Sequence, residues 1–309
     1  MNCHPALTLN IMTHMTHSTR FIVFLVFASS TAAFGQHTLH EQFGEITGSI
    51  DAIVGVDAVV IETGDTASFN AGRHYPMQST YKFPIAMAVL DNVDKGKLGL
   101  EQKIHLRPSD MVGHTHSPIR DKYPKGNVDL PLSEIVQLTV GESDNIGCDV
   151  LLRTLGGPAK AEKYIHSLGV MEMAIATTER GQQVADQSVQ YKNWATPAAM
   201  TKLLKLLLTG KVLSEKSTAL LMTFMTQSTP GKNRLKGLLP AGTIVAHKTG
   251  TAGTVDGMTS ATNDAGIITL PNGNHLAITV FVADSHASEA DREMTIAKIA
   301  RAAWDHWTK

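Results

Sequence analysis

At 309 residues, with 43% hydrophobic and 18% charged, the chain can build one large domain or two modest ones, and it is neither a disordered tail nor a fibre. The formal net charge of -1, without any block of Lys or Arg, gives no footing for nucleic acid as a partner. A small neutral or zwitterionic substrate fits better.

Arg20, an apolar run from Phe21 to Ala28 and a small-residue exit follow the order of a secretory signal, placed here over residues 1–35. Cleavage fits after Ala33 or Gly35, and Met12 or Met15 fits as the start. The run is too short for a permanent membrane anchor, and no Cys follows it to carry a lipid. An exported, soluble, periplasmic protein is expected. Cys3 falls in the leader, so Cys148 has no partner for an internal disulfide and reads as buried filler.

Along the mature chain, "IVGVDAVVIETGDTASF" (53–69) alternates β-branched residues around a turn and predicts a hairpin. From 79 to 225 the pattern is helical, with segments "FPIAMAVLDNVDKG", "PLSEIVQLTV", "CDVLLRTLG" and "TPAAMTKLLKLLLTGK". A second hairpin follows in "AGIITLPNGNHLAITVFVADS", turning at Asn272-Gly273. The chain ends in a helix from Ser288 to Lys309, capped by Ser288 with Asp291 and carrying Ile296, Ile299, Ala300, Ala303, Trp304 and Trp307 at helical spacing. This order predicts an α+β fold: a lobe of antiparallel sheet with terminal helices (36–75 and 230–309), a helical lobe (76–229), and a cleft between them.

Within that frame, Ser79 and Lys82 stand at i and i+3 before an apolar run and share a helix face. A serine hydroxyl needs a nearby base to become a nucleophile, and a desolvated lysine can serve as one. Alone, the pair more often means a cap beside a surface lysine. Ser143, Asp144 and Asn145 form a polar turn between two helical segments, which could equally be an Asx-turn. Lys248, Thr249 and Gly250 open the final strand run and offer a cation, a hydroxyl and close backbone approach; the plain alternative is an exposed strand edge.

In this order and spacing, "STYK", "SDN" and "KTG" resemble the class A serine β-lactamases of the penicillin-binding-protein superfamily, over nearly all of the mature chain. The resemblance implies a two-lobed fold and β-lactam hydrolysis through an acyl-enzyme, by a monomer with no cofactor. It implies Ser79 as nucleophile, Lys82 as proton acceptor or relay, and Ser143 as proton donor to the leaving nitrogen. Lys248, with Thr249, Gly250 and Thr251, would bind the substrate, its carboxylate at Lys248, and the N–H groups of Ser79 and Thr251 would form an oxyanion hole. Asn145 would bind the substrate's side-chain amide.

Fast hydrolysis of the acyl ester requires a carboxylate to activate water. "TTERGQQ" supplies Glu179 and, four residues on, Gln183, matching the family's loop although its usual Leu-Asn is replaced by Gln182 and Gln183. Asp186 is a nearby competitor. Whether Lys82 or Glu179 takes the first proton stays open. Thr177 stands where many members carry an arginine, so the loop is expected to be held differently. Asp149 replaces a usual asparagine, and Arg234 is expected to supply the missing carboxylate-binding arginine. These departures, with "THSPIRDKYP" (115–124), resemble the extended-spectrum branch acting on bulky oxyimino cephalosporins. The competing readings are a D-Ala-D-Ala peptidase, a β-lactam sensor and a zinc hydrolase; the last would use His114 and His116, but Pro118 occupies the position where an Asp ligand is needed.

Overall fold

Why the two ends of the chain build one sheet follows from their alternation. The computed structural model describes Met1 and residues 37–309 apart from 112, 114, 184, 185 and 211, so the expected leader beyond Met1 and His114 lie outside the described residues. After Thr38, whose hydroxyl accepts from Glu41 N and whose own N–H donates to the Glu41 carboxylate, α1 (Leu39–Gly48) runs into β1 (Ile53–Val60), β2 (Thr66–Phe69) and β3 (Tyr75–Pro76). A single 3-10 turn, Gln78–Tyr81, then leads into α2 (Lys82–Asp94). Next come β4 (Lys103–Leu106), α3 (Pro118–Lys122), β5 (Val128–Pro131), α4 (Leu132–Gly141), α5 (Asn145–Leu155) and α6 (Pro158–Ser167). They are followed by β6 (Met173–Ala174), α7 (Glu179–Gln182), β7 (Trp194–Ala195), α8 (Pro197–Thr209) and α9 (Glu215–Thr226). The chain closes with β8 (Val245–Thr251), β9 (Thr254–Val255), β10 (Met258–Thr269), β11 (His275–Ser285) and α10 (Glu289–Trp307).

The main sheet is antiparallel, in the order β2-β1-β11-β10-β8, with β9 paired to β10. Both expected hairpins form, and Gly273 takes the left-handed φ of 86° at the Asn-Gly turn. Helices cover both faces, so the strands are apolar on both sides. Val54, Val56, Ala58 and Val60 of β1, with Leu276, Ile278, Val280 and Val282 of β11, pack beneath α1 and α10 through Phe43, Ile296, Ile299 and Trp304. Ala265, Ile267, Ala277 and Phe281 face the other way and join the core of α2, α4, α5, α8 and α9. Lys82 through Leu90 of α2 are all buried, which makes it the central helix.

Two expectations are amended. Residues 79–225 are not wholly helical: β4 pairs β5, and β3, β7 and β6 form a small sheet of two-residue strands too short to show a period. Ser79 lies in the 3-10 turn, with only Lys82 on the α-helix proper. Among the described residues no helix is long and apolar enough to cross a membrane.

One acid is out of place in the sheet. Burial pushes the Asp57 carboxyl on β1 up to about 6 from its ordinary 3.8, against the opposing help of Thr201. A raised carboxyl stabilises the fold while protonated; that contribution is present below 3.8 and is lost as pH rises through about 6. Asp57→Asn is therefore expected to stabilise the protein near neutral pH by about 1 kcal/mol and to give no gain in acid. Thermal melts across pH check both halves.

Candidate active site

The turn that carries Ser79 is fixed from three sides. Asn193, fully buried, accepts Met77 N through its carbonyl at 2.9 Å. Asn263 on β10, also fully buried, donates its amide to Pro76 O and Met77 O at 2.8 and 3.1 Å. The third side is β8: a Cβ on Gly250 would stand 2.4 Å from Met77 O, so only glycine lets this edge strand abut the turn. Gln78, just before Ser79, takes a left-handed φ of 47°, a strain held by this surrounding structure.

Lys82 is 0% exposed, and its ammonium is surrounded by oxygens. Nζ donates to Ser79 Oγ at 2.9 Å, to Ser143 O at 2.8 Å and to Asn145 Oδ1, with Ser143 Oγ at 3.4 Å. Glu179 Oε1 stands 3.0 Å away, in an ion-pair contact whose angle makes no hydrogen bond. Serine, lysine and the loop carboxylate thus meet at one buried point.

Ser143 makes the second junction. Its φ of 60° folds the turn between α4 and α5 so that its carbonyl faces Lys82 and its hydroxyl faces Lys248, whose Nζ donates to Oγ at 2.9 Å. Asp144 holds this turn as the cap of α5: its carboxylate accepts Gly147 N and Ile119 N, each at 2.7 Å, and the Ser117 hydroxyl. The Asx-type reading of Asp144 and the cleft-facing reading of its neighbours therefore hold together. Lys248 is 1% exposed; burial first, then the Lys82 charge, hold its ammonium well below the usual lysine range, partly offset by Glu179 and Asp264.

The loop that carries Glu179 is anchored by Asn193, which the sequence did not single out, and by Asp149, noted there only as a departure from the family's asparagine. Asn193 Oδ1 accepts Ala176 N and Thr177 N at 2.8 and 2.9 Å, and its amide donates back to Thr177 O. Asp149 caps the short α7, accepting Glu179 N at 2.7 Å and Arg180 N at 3.0 Å. Burial pushes the Asp149 carboxyl up to about 6, although these two amides pull it down. Gln183 shares a cavity of about 60 Å³ with Glu179, Asn145, Asp149 and Thr115. Asp186 instead caps the turn at Ser188.

The cleft above Ser79 has a volume of about 330 Å³ and is lined by Ser143, Asn145, Thr249, Thr251, His116 and Pro230 as well. Arg234 does not line it. This residue is 4% exposed, behind β8, and donates to Glu293, Gly250 O, Asn263 O and, at 2.7 Å, the Thr251 hydroxyl. It is neither a solvated surface arginine nor a free fork; it reaches the cleft only through Thr251. His116, exposed in the loop before α3, borders the cleft, where its Nε2 donates to Glu142 O at 2.8 Å. Cys148 is free and buried, and its thiol is pushed far up by that burial, as filler should be.

The chain as a whole is similar to known proteins. Residues 38–307 match the family described as the Beta-lactamase enzyme family, so the chain belongs to it. Beta-lactamase VEB-1 of Pseudomonas aeruginosa is 45% identical over 259 residues, 83% of this chain and 86% of that protein. Extended-spectrum beta-lactamase PER-1 of the same organism is 38% identical over 296 residues, 96% of each chain. A solved beta-lactamase from Chitinophaga pinensis superposes with a TM-score of 0.86 at 49% identity, covering 88% of this chain and all of that one. The chain is accordingly an enzyme of the class A serine β-lactamase type, with that family's α+β fold.

Because Asn193 alone satisfies three loop groups and is buried, Asn193→Ala is expected to cost about 2–3 kcal/mol of stability. It should also open residues 176–183 to protease before global unfolding, as denaturant titration and limited proteolysis would show.

Proposed function

We propose that the protein hydrolyses the β-lactam amide of penicillins and cephalosporins through an acyl-enzyme on Ser79, conferring resistance to these antibiotics. The observation that carries this reading is the buried meeting of Ser79 Oγ, Lys82 Nζ and Glu179 Oε1, with 2.9 and 3.0 Å separating the lysine from its two partners.

In the first step Ser79 Oγ attacks the lactam carbonyl carbon. The Lys82 ammonium gives a proton to Glu179, which lies in direct contact with it, and the resulting amine takes the Ser79 proton. The carbonyl oxygen takes up the negative charge and is stabilised by the N–H groups of Ser79 and Thr251, which the side-chain-free Gly250 allows to approach each other. As the ring C–N bond breaks, Ser143 gives its hydroxyl proton to the nitrogen and takes one from Lys82, to which Glu179 returns its own, so that Glu179 is again a carboxylate. Lys248, Thr249 and Thr251 receive the substrate carboxylate, with Arg234 polarising the Thr251 hydroxyl from behind. Asn145 meets the side-chain amide.

In the second step Glu179 takes a proton from water, which attacks the ester carbonyl, and that proton passes through Lys82 to Ser79 Oγ as the acyl C–O bond breaks. Gln183, sharing the cavity beside Glu179, helps to hold that water. The sheet supplies Lys248 to Thr251 and the helical segments supply Ser79, Ser143 and Glu179, which supports a cleft between lobes over 36–75 with 230–309 and over 76–229. One chain supplies every group, which supports a monomer. The substrate range extends to oxyimino cephalosporins: PER-1 carries the extended-spectrum description, and the loop entry here is tied by Asn193 instead of by an arginine at 177. The site of action is the periplasm, reached through the leader; N-terminal sequencing of the secreted protein is expected to begin near residue 34 or 36.

Mass spectrometry of Glu179→Gln with a cephalosporin is expected to show an adduct that accumulates on Ser79, with deacylation slowed by about 10²-fold or more. Ser79→Ala should form none. Wild-type turnover by Glu179→Gln would overturn the assigned second step and favour a peptidase-like enzyme or another base. Confinement of wild-type activity to simple penicillins would overturn the extended range.

A further inference from the structure

The loop that enters α3 packs on the turn that carries Ser143 and Asn145, and the mechanism gives it no part. Three successive residues make the contact. The Thr115 hydroxyl accepts from Asn145 Nδ2. His116 donates through Nε2 to Glu142 O at 2.8 Å, and its carbonyl accepts Asn145 N at 3.1 Å. The Ser117 hydroxyl donates to the Asp144 carboxylate at 2.9 Å. Asn145 is therefore held by its main chain and by its side chain. An ammonium only donates, so the Asn145 oxygen faces Lys82 and its nitrogen faces Thr115. One of the two N–H groups on that nitrogen is thereby fixed, and the direction of the other follows.

The loop itself is neither helix nor strand at Gly113, Thr115 and His116, so something else must keep it in place. Arg120 on α3 does so. Its guanidinium donates from Nη1 to Gly113 O and from Nη2 to Thr115 O, both at 2.6 Å. A planar fork can hold two carbonyls two residues apart; a lysine at the same place would hold one. Arg120 is fixed in turn, since its N–H donates to the Ser117 hydroxyl at 3.1 Å and the preceding Ile119 N donates to Asp144. Its acidic neighbour Asp121 is 3.8 Å away and largely exposed, which makes the two carbonyls its closer partners. Arg120 lines neither the cleft nor the cavity beside Glu179, whereas Thr115 lines that cavity and His116 the cleft.

We propose that Arg120 is a positioning residue for recognition of the substrate's side-chain amide: by holding the carbonyls of Gly113 and Thr115 it places the hydroxyl that orients the Asn145 amide. This rests on the reading of Asn145 as the group that meets the substrate's amide.

The test compares kcat/KM for benzylpenicillin, which carries a side-chain amide, with that for 6-aminopenicillanic acid, the same ring system with a free amine in its place. The readout is the ratio of the two, because a merely structural role lowers both alike. Wild type is expected to favour benzylpenicillin, and Asn145→Ala to lose most of that preference. An unchanged ratio in Asn145→Ala overturns the reading of Asn145, and the proposal with it. With that reading upheld, Arg120→Met is expected to lower the ratio about tenfold, through a raised KM for benzylpenicillin. Thr115→Val, which keeps the shape and removes the hydroxyl, is expected to lower it by a similar factor, and the double variant little further. Arg120→Lys, which keeps the charge without the fork, should lower it about threefold and decides the matter if Arg120→Met does not fold. A folded Arg120 variant or Thr115→Val with the wild-type ratio overturns the proposal. So does failure of both Arg120 variants to fold, since Arg120 would then be a stability element alone.

Discussion

A lysine ammonium with no access to water is the constraint around which this molecule is arranged. Removing such a group from solvent is costly unless its charge and its donors find partners, and Lys82 finds them in Ser79, Ser143, Asn145 and Glu179. Three stretches of the chain converge to supply those oxygens: the 3-10 turn that leads into Lys82, the turn from Ser143 into the head of α5, and α7. The interaction that makes the amine available to the serine is also the one that holds the helical part of the protein around a common point. The partner of Ser79 is a structural centre as well.

The supporting layer is polar and buried, and it consists of amides and carboxylates with no part in bond-making. Asn193, Asn263, Asp144 and Asp149 each bind two or more backbone groups of a reactive segment. Left-handed residues at Gln78 and Ser143 are tolerable only because this layer over-determines the backbone around them. Strain at the point of chemistry is balanced by hydrogen bonding one shell away.

How much of this could be read in the sequence depends on whether a residue's task leaves a local trace. Ser79 with Lys82, Ser143 with Asn145, and Lys248 with Gly250 are short-range groupings of unusual residue types, and they were legible; the structure brings them together. Glu179 was legible through its spacing to Gln183. The hairpins and α10 were legible because a packed face repeats at period 2 or 3.6. Asn193 was not, since one asparagine in an irregular segment has no period and its partners are distant. Asn263 and Asp264 carried a faint signal, as two polar residues inside an otherwise buried strand. Arg234 was noticed but its direction was not: a sequence does not say whether an arginine faces solvent or is enclosed by Glu293 and carbonyls. The two-residue strands β3, β6 and β7 are products of tertiary packing and have no signature of their own.

The double duty of Asn193 has a mechanical consequence. Its side chain grips the entry of the Glu179 loop while its main-chain carbonyl grips the segment leading to Ser79, so the gate and the serine hang from one peg. A bulky substituent that pries the gate outward pulls on the same peg. Room for large molecules is therefore gained most safely farther along the loop, beyond its entry at residue 177, where movement leaves the alignment of the serine untouched.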